Sequence, residues 1–220
     1  MKTASLIITL FLLVSCGKNK TVVLPEIPTS KISKIQDVSA AYLFYNETLP
    51  EHVELNRKNL ISTTNWLINV DKRLTLKEAI PQIIFLQNKK RNAEIHKNKD
   101  AKNYFTCNDL SKNNLGFIEF TDVYYHNIKT DSLKLEGNLN EVRFFSLDNI
   151  TITTPTDKVS NLNKDTFKAF LKQKSNDNEC VLICNFHDSL SFQDYMTIKY
   201  ELEQLDLKNM SIAKDEFIFN

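Results

Sequence analysis

The apolar positions of this chain fall into two passages with the same rhythm. In the first, Asn65-Trp66-Leu67-Ile68-Asn69-Val70 reads as a strand, and Asp71-Lys72-Arg73 turns the chain. Leu74-Thr75-Leu76-Lys77-Glu78 then opens a helix, with Thr75 as cap and Glu78 three residues on, the spacing of a capping box. Leu76, Ala79, Ile80, Ile83 and Leu86 form one apolar stripe, and Pro81 inside it predicts a kink or an irregular first turn. In the second passage Val181-Leu182-Ile183-Cys184 is the strand and Asn185-Phe186-His187-Asp188-Ser189 leads out of it. Leu190-Ser191-Phe192-Gln193-Asp194 repeats the helix start, and Phe192, Tyr195, Met196, Lys199, Leu202 and Leu205 follow at helical spacing, Lys199 through its aliphatic stem. Laid over each other at an offset of 116, the two helix starts match at every position by type. This predicts a duplicated strand–turn–helix unit. Two unrelated crossovers sharing ordinary capping residues fit the same pattern, because long identities are missing.

Most of the remaining chain reads as β. Tyr104-Phe105-Thr106-Cys107, residues 115–120 and Val123-Tyr124-Tyr125-His126-Asn127-Ile128 are strand-length apolar runs. Residues 141–146 and 149–153 suggest a hairpin turning at Leu147-Asp148, and Asn163 caps a short helix carrying Phe167, Phe170 and Leu171. Two terminal strands, Met210-Ser211-Ile212-Ala213 and Glu216-Phe217-Ile218-Phe219, are expected to turn at Lys214-Asp215. Residues 38–48 fit a strand or a short helix. Residues 89–102 read as a charged connector, and the polar residues 130–140 as a boundary. The expected fold is α+β, short helices on mixed sheets, with one module at 35–129 and a second at 139–220.

The start of the chain has a different character. Lys2 precedes nine apolar-rich residues, 6–14, closed by Ser15-Cys16-Gly17. The run is too short to span a bilayer as a helix and has the charged start and small-residue end of a secretion signal. Leu13-Val14-Ser15-Cys16 resembles a bacterial lipobox. That resemblance implies removal of residues 1–15, a diacylglycerol and an N-acyl chain on Cys16, and attachment at the cell envelope on its periplasmic or outer-membrane side. Residues 16–34, with Pro25 and Pro28, then read as a lipidated, semi-extended tether.

Composition narrows the function classes. Lysine and arginine number 28 against 27 acidic residues, and loss of Lys2 balances them, so nothing favours nucleic acid or a polybasic membrane patch. Only 3 glycines leave little from which to build a phosphate loop. Besides Cys16 there are Cys107, Cys180 and Cys184, an odd number. On one strand Cys180 and Cys184 stand about 13 Å apart, too far for a disulfide. Inert thiols, a bridge from Cys107 to one of the others, and redox or metal chemistry all stay open. His52, His96 and His126 have no metal-ligand spacing. Cys184, His187 and Asp188 supply a nucleophile, a base and a carboxylate by type, although alternation along a strand turns Cys184 and His187 to opposite sides. Trp66, Tyr124 and Tyr125 are candidates for an interface, with burial in the core as the alternative.

The order of elements from Glu141 to Phe219 resembles the periplasmic domain of the ExbD/TolR family: a β stretch through Asp148-Asn149-Ile150-Thr151-Ile152, a short helix at 166–171, the strand at 181–184, a polar turn at His187-Asp188, an amphipathic helix and a returning strand. The transmembrane helix with its proton-coupling aspartate is missing, since residues 6–14 hold no acid. The resemblance implies a docking or self-association module near an envelope complex; separately, no cofactor is expected beyond the acyl groups on Cys16. The leading expectation is a non-enzymatic lipoprotein that binds a protein partner or copies of itself. The alternative is an exported small-ligand-binding protein or hydrolase with a pocket between the modules.

Overall fold

A computed structural model describes residues 20–93, 98–128, 138–174 and 179–220. Cys16, the rest of the secretion signal, His96 and most of the expected boundary at 130–140 lie outside the described residues. The first half runs β1 (Glu26–Ile27), β2 (Val38–Tyr45), β3 (Val53–Asn56), β4 (Asn65–Val70), α1 (Leu76–Arg91), β5 (Asn103–Asp109) and β6 (Asn114–Glu119). The second runs β7 (Tyr124–Ile128), β8 (Leu139–Ser146), β9 (Asn149–Thr153), β10 (Lys158–Leu162), α2 (Lys164–Lys174), β11 (Cys180–His187), α3 (Phe192–Glu203) and β12 (Met210–Phe219). The strands form two mixed sheets, β1-β5-β4-β2-β3 with β6 on β5, and β10-β9-β8-β11-β12-β7. The fold is α+β.

The two sheets share one plan. In each, an antiparallel pair (β2–β3, β8–β9) is followed by a strand parallel to its first member (β4, β11), a helix (α1, α3) and a further parallel strand (β5, β12). The offset of 116 holds from strand into helix, so Ile68 corresponds to Cys184, Asn69 to Asn185, Ala79 to Tyr195, Ile80 to Met196 and Ile83 to Lys199. The second half differs by inserting β10 and α2 before its third strand.

The halves are stitched by a reciprocal contact. The Leu76 N–H donates to the Leu190 carbonyl at 2.9 Å, and the Phe192 N–H to the Leu74 carbonyl at 2.7 Å. One residue on, Lys77 N–H donates to Asp188 O at 2.8 Å and Gln193 N–H to Lys72 O at 3.2 Å. The first N–H groups of a helix have no partner within it. Here each helix has them met by the turn of the other half, as residue i meets j and j meets i across a two-fold axis. The third N–H is met locally: Glu78 N–H reaches Thr75 O, and Asp194 N–H reaches the Ser191 hydroxyl. Around this axis one core forms, in which Tyr195 of α3 touches Phe105 of the first sheet and Phe186 of the second.

Three sequence expectations change. Tyr124–Ile128, assigned to the first module, pairs with β12 in parallel (Asp215 opposite Tyr124, Phe219 opposite Ile128) and so belongs to the second sheet. Lys214-Asp215 does not turn the chain: β12 is one strand, and the register against β11 jumps between Leu182–Ile212 and Cys184–Glu216, which makes it a bulge. Residues 38–45 are strand. Pro81 sits exposed within α1 without ending it.

The third change concerns the tether. Residues 20–32, expected to be a loose spacer, are built into the fold as a strap. Lys72 N–H donates to Val23 O at 2.7 Å, Asn108 N–H to Pro25 O at 2.8 Å, Leu110 N–H to Ile27 O at 3.0 Å and Phe117 N–H to Ile32 O at 3.0 Å. The prolines did not free the segment: Pro25 and Pro28 have no N–H to give, but their carbonyls accept from Asn108 and Ser111. Ser30 lies so close to Gly116 that a Cβ there would stand 2.5 Å from the Ser30 Cβ, which explains glycine at that position.

Candidate functional site: the carboxyl-end cleft, the polar chain and the strap

The parallel strands of both sheets point their carboxyl ends the same way. α3 starts beside Glu26 at the end of β5, while Leu76, Lys77 and Pro81 of α1 stand beside Ile218 and Phe219 at the end of β12. Between α1 and the end of the second sheet lies a cleft of about 450 Å³, with Asn127, Asp188 and Asn220 as polar lining and Leu76, Pro81, Ile218 and Phe219 as apolar walls. A second cleft, about 390 Å³, lies on the other side of Lys77 and Pro81, against Glu51, His52 and Glu78. His52 Nδ1 is 2.9 Å from Glu78 Oε1 there. Crevices at the carboxyl ends of parallel strands are where open αβ sheets bind ligands. The helix N-terminus adds no free donor here, since its N–H groups are used in the stitch.

The residues singled out for chemistry separate. Cys184 is buried with α3 over it, and burial pushes its thiol up to about 12, with the Glu216 carboxylate adding to the shift. His187 stands three residues on, on the opposite face of β11, with Nδ1 2.7 Å from the Ser189 hydroxyl and 3.6 Å from Asp188. Of the three only Asp188 lines the cleft. The order Cys–His–Asp along the chain therefore does not become a nucleophile–base pair. No disulfide joins Cys107, Cys180 and Cys184 to one another.

The interface candidates separate too. Trp66 is 1% exposed; its indole N–H donates to Ile61 O at 2.7 Å, and the Lys90 ammonium lies 5.0 Å from its ring. Lys90 is itself held by Thr64 O, Lys102 O and Asn103 Oδ1 at 2.9–3.2 Å, and burial lowers its pKa to about 8. Tyr125 is buried. Tyr124, its neighbour on the other face of β7, is 42% exposed under the Arg91 guanidinium at 4.2 Å. Trp66 and Tyr125 are thus core residues, because each hydroxyl or N–H finds an internal acceptor.

Sequence reasoning missed a buried polar chain. Tyr125 Oη lies 3.0 Å from Tyr195 Oη, Tyr195 donates to Glu216 Oε2 at 2.7 Å, and Lys199 donates to Glu216 Oε1 at 2.5 Å. Burial opposes the Lys199 charge, but attraction to Glu216 outweighs it and raises the lysine above its ordinary pKa. The matching positions in the first half are Ala79, Ile83 and Phe105. A lysine inside the second stripe, where the first has isoleucine, was the legible sign.

The chain matches no family model, no curated protein and no solved structure. Among the described residues no group of histidine, cysteine and carboxylate side chains is placed to hold a metal ion.

Proposed function

We propose that this chain is a non-enzymatic envelope lipoprotein, held to a membrane through acyl chains on Cys16, whose folded body binds another protein or a second copy of itself. The anchor rests on Leu13-Val14-Ser15-Cys16. The contact rests on one observation: β7 closes the second sheet with Tyr124 exposed, and no described strand pairs with its outer edge. Such an edge offers backbone donors and acceptors to an added strand, and side chains at alternate positions select it. The likeness of residues 141–219 to a periplasmic docking domain agrees with this in kind. The burial of Cys184 away from His187 weighs against the hydrolase reading.

The test is a photo-crosslinking side chain in place of Tyr124 or His126 in the full-length protein, activated in intact envelopes beside the same variants carrying Cys16→Ala. A discrete adduct that requires Cys16 supports the proposal. No adduct from either position, or Cys16 recovered without acyl groups, overturns it. A second reading, small-ligand binding, is favoured by the cleft of about 450 Å³ with Lys77 and Asp188 on its lining. It calls for a ligand whose binding is lost in Lys77→Ala.

A further inference from the structure

The strap changes what an anchor at Cys16 does to the body. A free spacer over residues 16–34 would span up to about 65 Å at about 3.6 Å per residue. Instead, Val23 is fixed from both sides: its N–H donates to Asp71 Oδ2 at 3.1 Å and its carbonyl accepts from Lys72 N–H at 2.7 Å. Glu26 is gripped by the second half as well, its N–H donating to Gln193 Oε1 at 2.8 Å while Gln193 Nε2 donates to its carbonyl at 2.9 Å. Lys72 Nζ closes on Glu26 Oε1 at 2.7 Å. Only seven peptide steps lie between Cys16 and Val23, a reach of about 25 Å at most. Lys20 already pairs with Glu54, which shortens it further.

The point of attachment is also defined. Asp71 and Lys72 follow the last residue of β4, so the anchor leaves from the carboxyl end of the first sheet, beside residues 46–52 and the clefts around Lys77. The opposite end carries residues 98–102 and 204–209. β11, eight residues long, separates the two ends by roughly 25 Å.

We infer that the carboxyl-end face of this protein is its membrane-facing surface: a lipid bilayer is the partner of the loop at 46–52, and the two clefts beside α1 open toward the headgroups. This rests on the acylation of Cys16 proposed above. The occupant follows from the length of chain between the anchor and the first fixed residue. With Lys20 held on Glu54, four peptide steps, about 14 Å, remain between the anchor and the body, short of the roughly 25 Å between its two ends, whereas a tether of about 65 Å exceeds it.

The test uses the full-length protein purified from its own membranes and placed in phosphatidylcholine vesicles containing a headgroup-quencher lipid. A fluorescent amino acid replaces either Glu51, at the carboxyl end, or Lys208, at the other; both positions are exposed. The expected result is quenching at position 51 several-fold stronger than at 208. The strap variant Asp71→Asn with Gln193→Ala is expected to bring the two closer together. Equal quenching at both sites, or stronger quenching at 208, overturns the inference. Mass spectrometry of the same preparation separates the two ideas. Acylated Cys16 with indifferent labels removes only the orientation, and unmodified Cys16 removes the anchor and the orientation together.

Discussion

Lys199 and Glu216 offer the sharpest test of how the second half is held together. Glu216 is 2% exposed, and its carboxylate is met by the Lys199 ammonium at 2.5 Å and the Tyr195 hydroxyl at 2.7 Å. Lys199→Met removes the cation and leaves a buried carboxylate with a hydroxyl as its remaining partner. Breaking one side of a buried pair costs about 3–5 kcal/mol, because the desolvation of the other charge is no longer offset. Replacing both partners with apolar groups of similar volume is often neutral or better. The first half already uses that solution, with Ile83 and Phe105 at the matching positions. Phenylalanine at 216 would crowd Tyr195, which stands where the first half has alanine, so leucine is the appropriate substitute. Lys199→Met/Glu216→Leu should thus recover most of the loss, less about 1 kcal/mol for the Tyr195 hydroxyl left without its acceptor.

Urea unfolding of each variant at neutral pH, with Cys16→Ala as common background, measures the four corners of the cycle. The double variant should lie within roughly 1–2 kcal/mol of the parent, and the coupling energy should be large. The raised pKa of Lys199 adds a pH signature. A lysine whose folded pKa lies above its unfolded value stabilises fully below the unfolded value, about 10.4, and that contribution is lost as pH climbs through the folded one. The parent should therefore lose stability relative to the double variant above about pH 10. A single variant costing under 1 kcal/mol, or two additive single losses, would refute this account.

Three further outcomes follow from the strap and the thiols. Gly116→Ala should displace Ser30, whose N–H and hydroxyl bond Asp109 and the carbonyls of Ile32 and Phe117, and cost about 1–3 kcal/mol; faster hydrogen exchange at Leu110 and Phe117 reads it, and unchanged exchange contradicts it. The strap should loosen in acid. Asp109 is held down to about 2 by the Ser111 hydroxyl and the N–H groups of Ser30 and Lys112; Asp71 is also lowered, where bonds from Arg73 and the Val23 N–H outweigh a burial that opposes them. Carboxylates with depressed folded values stabilise above the unfolded pKa and lose that contribution as pH falls, so amide protection at Lys72 and Asn108 should drop from about pH 4 toward 2 and not between pH 5 and 8. Burial raises both the Cys107 and the Cys184 thiols, so neither should react with a thiol reagent at pH 8 until urea unfolds the chain. Rapid labelling of Cys184 in the folded protein would reopen thiol chemistry at that strand.

The legible parts of the fold were those written in short-range spacing. The capping residues Thr75 and Ser191 and the stripes after them stand where spacing put them, since a helix start and its buried face are fixed by neighbours three and four residues apart. What escaped were choices made across the sheet. Tyr124–Ile128 is apolar enough for either sheet, and only the uncovered edge of β12 decides for the second. Lys214-Asp215 has turn composition, yet β11 on one side and β7 on the other hold the strand in line and leave the extra residues as a bulge. Residues 20–32 look like a linker because their polar residues and prolines name no partner; the acceptors Val23, Pro25 and Ile27 are carbonyls, which every sequence has. Of the candidate site, Asp188 was visible beside a predicted strand end, whereas Lys77 and Asn127 were indistinguishable from surface residues.

The approximate two-fold plan points to where function belongs. Features common to both halves, the paired strands, the helix caps and the reciprocal N–H bonds, are what the fold itself requires. The contact by which two such units pair is already used within one chain, so a second copy has to bind elsewhere, and the outer edge of β7, unpaired among the described strands, is available for it. The halves diverge where the repeat alone would have kept them alike. At the offset of 116, Gln193 and Lys77 occupy the same position at the start of their helices. Gln193 closes both amide groups on the strap, filling its side of the molecule with the segment that leads to Cys16. Lys77 has no strap to hold and instead borders both clefts. One half thereby grips the strap, the segment on the proposed route to the membrane, and the equivalent place in the other borders open clefts.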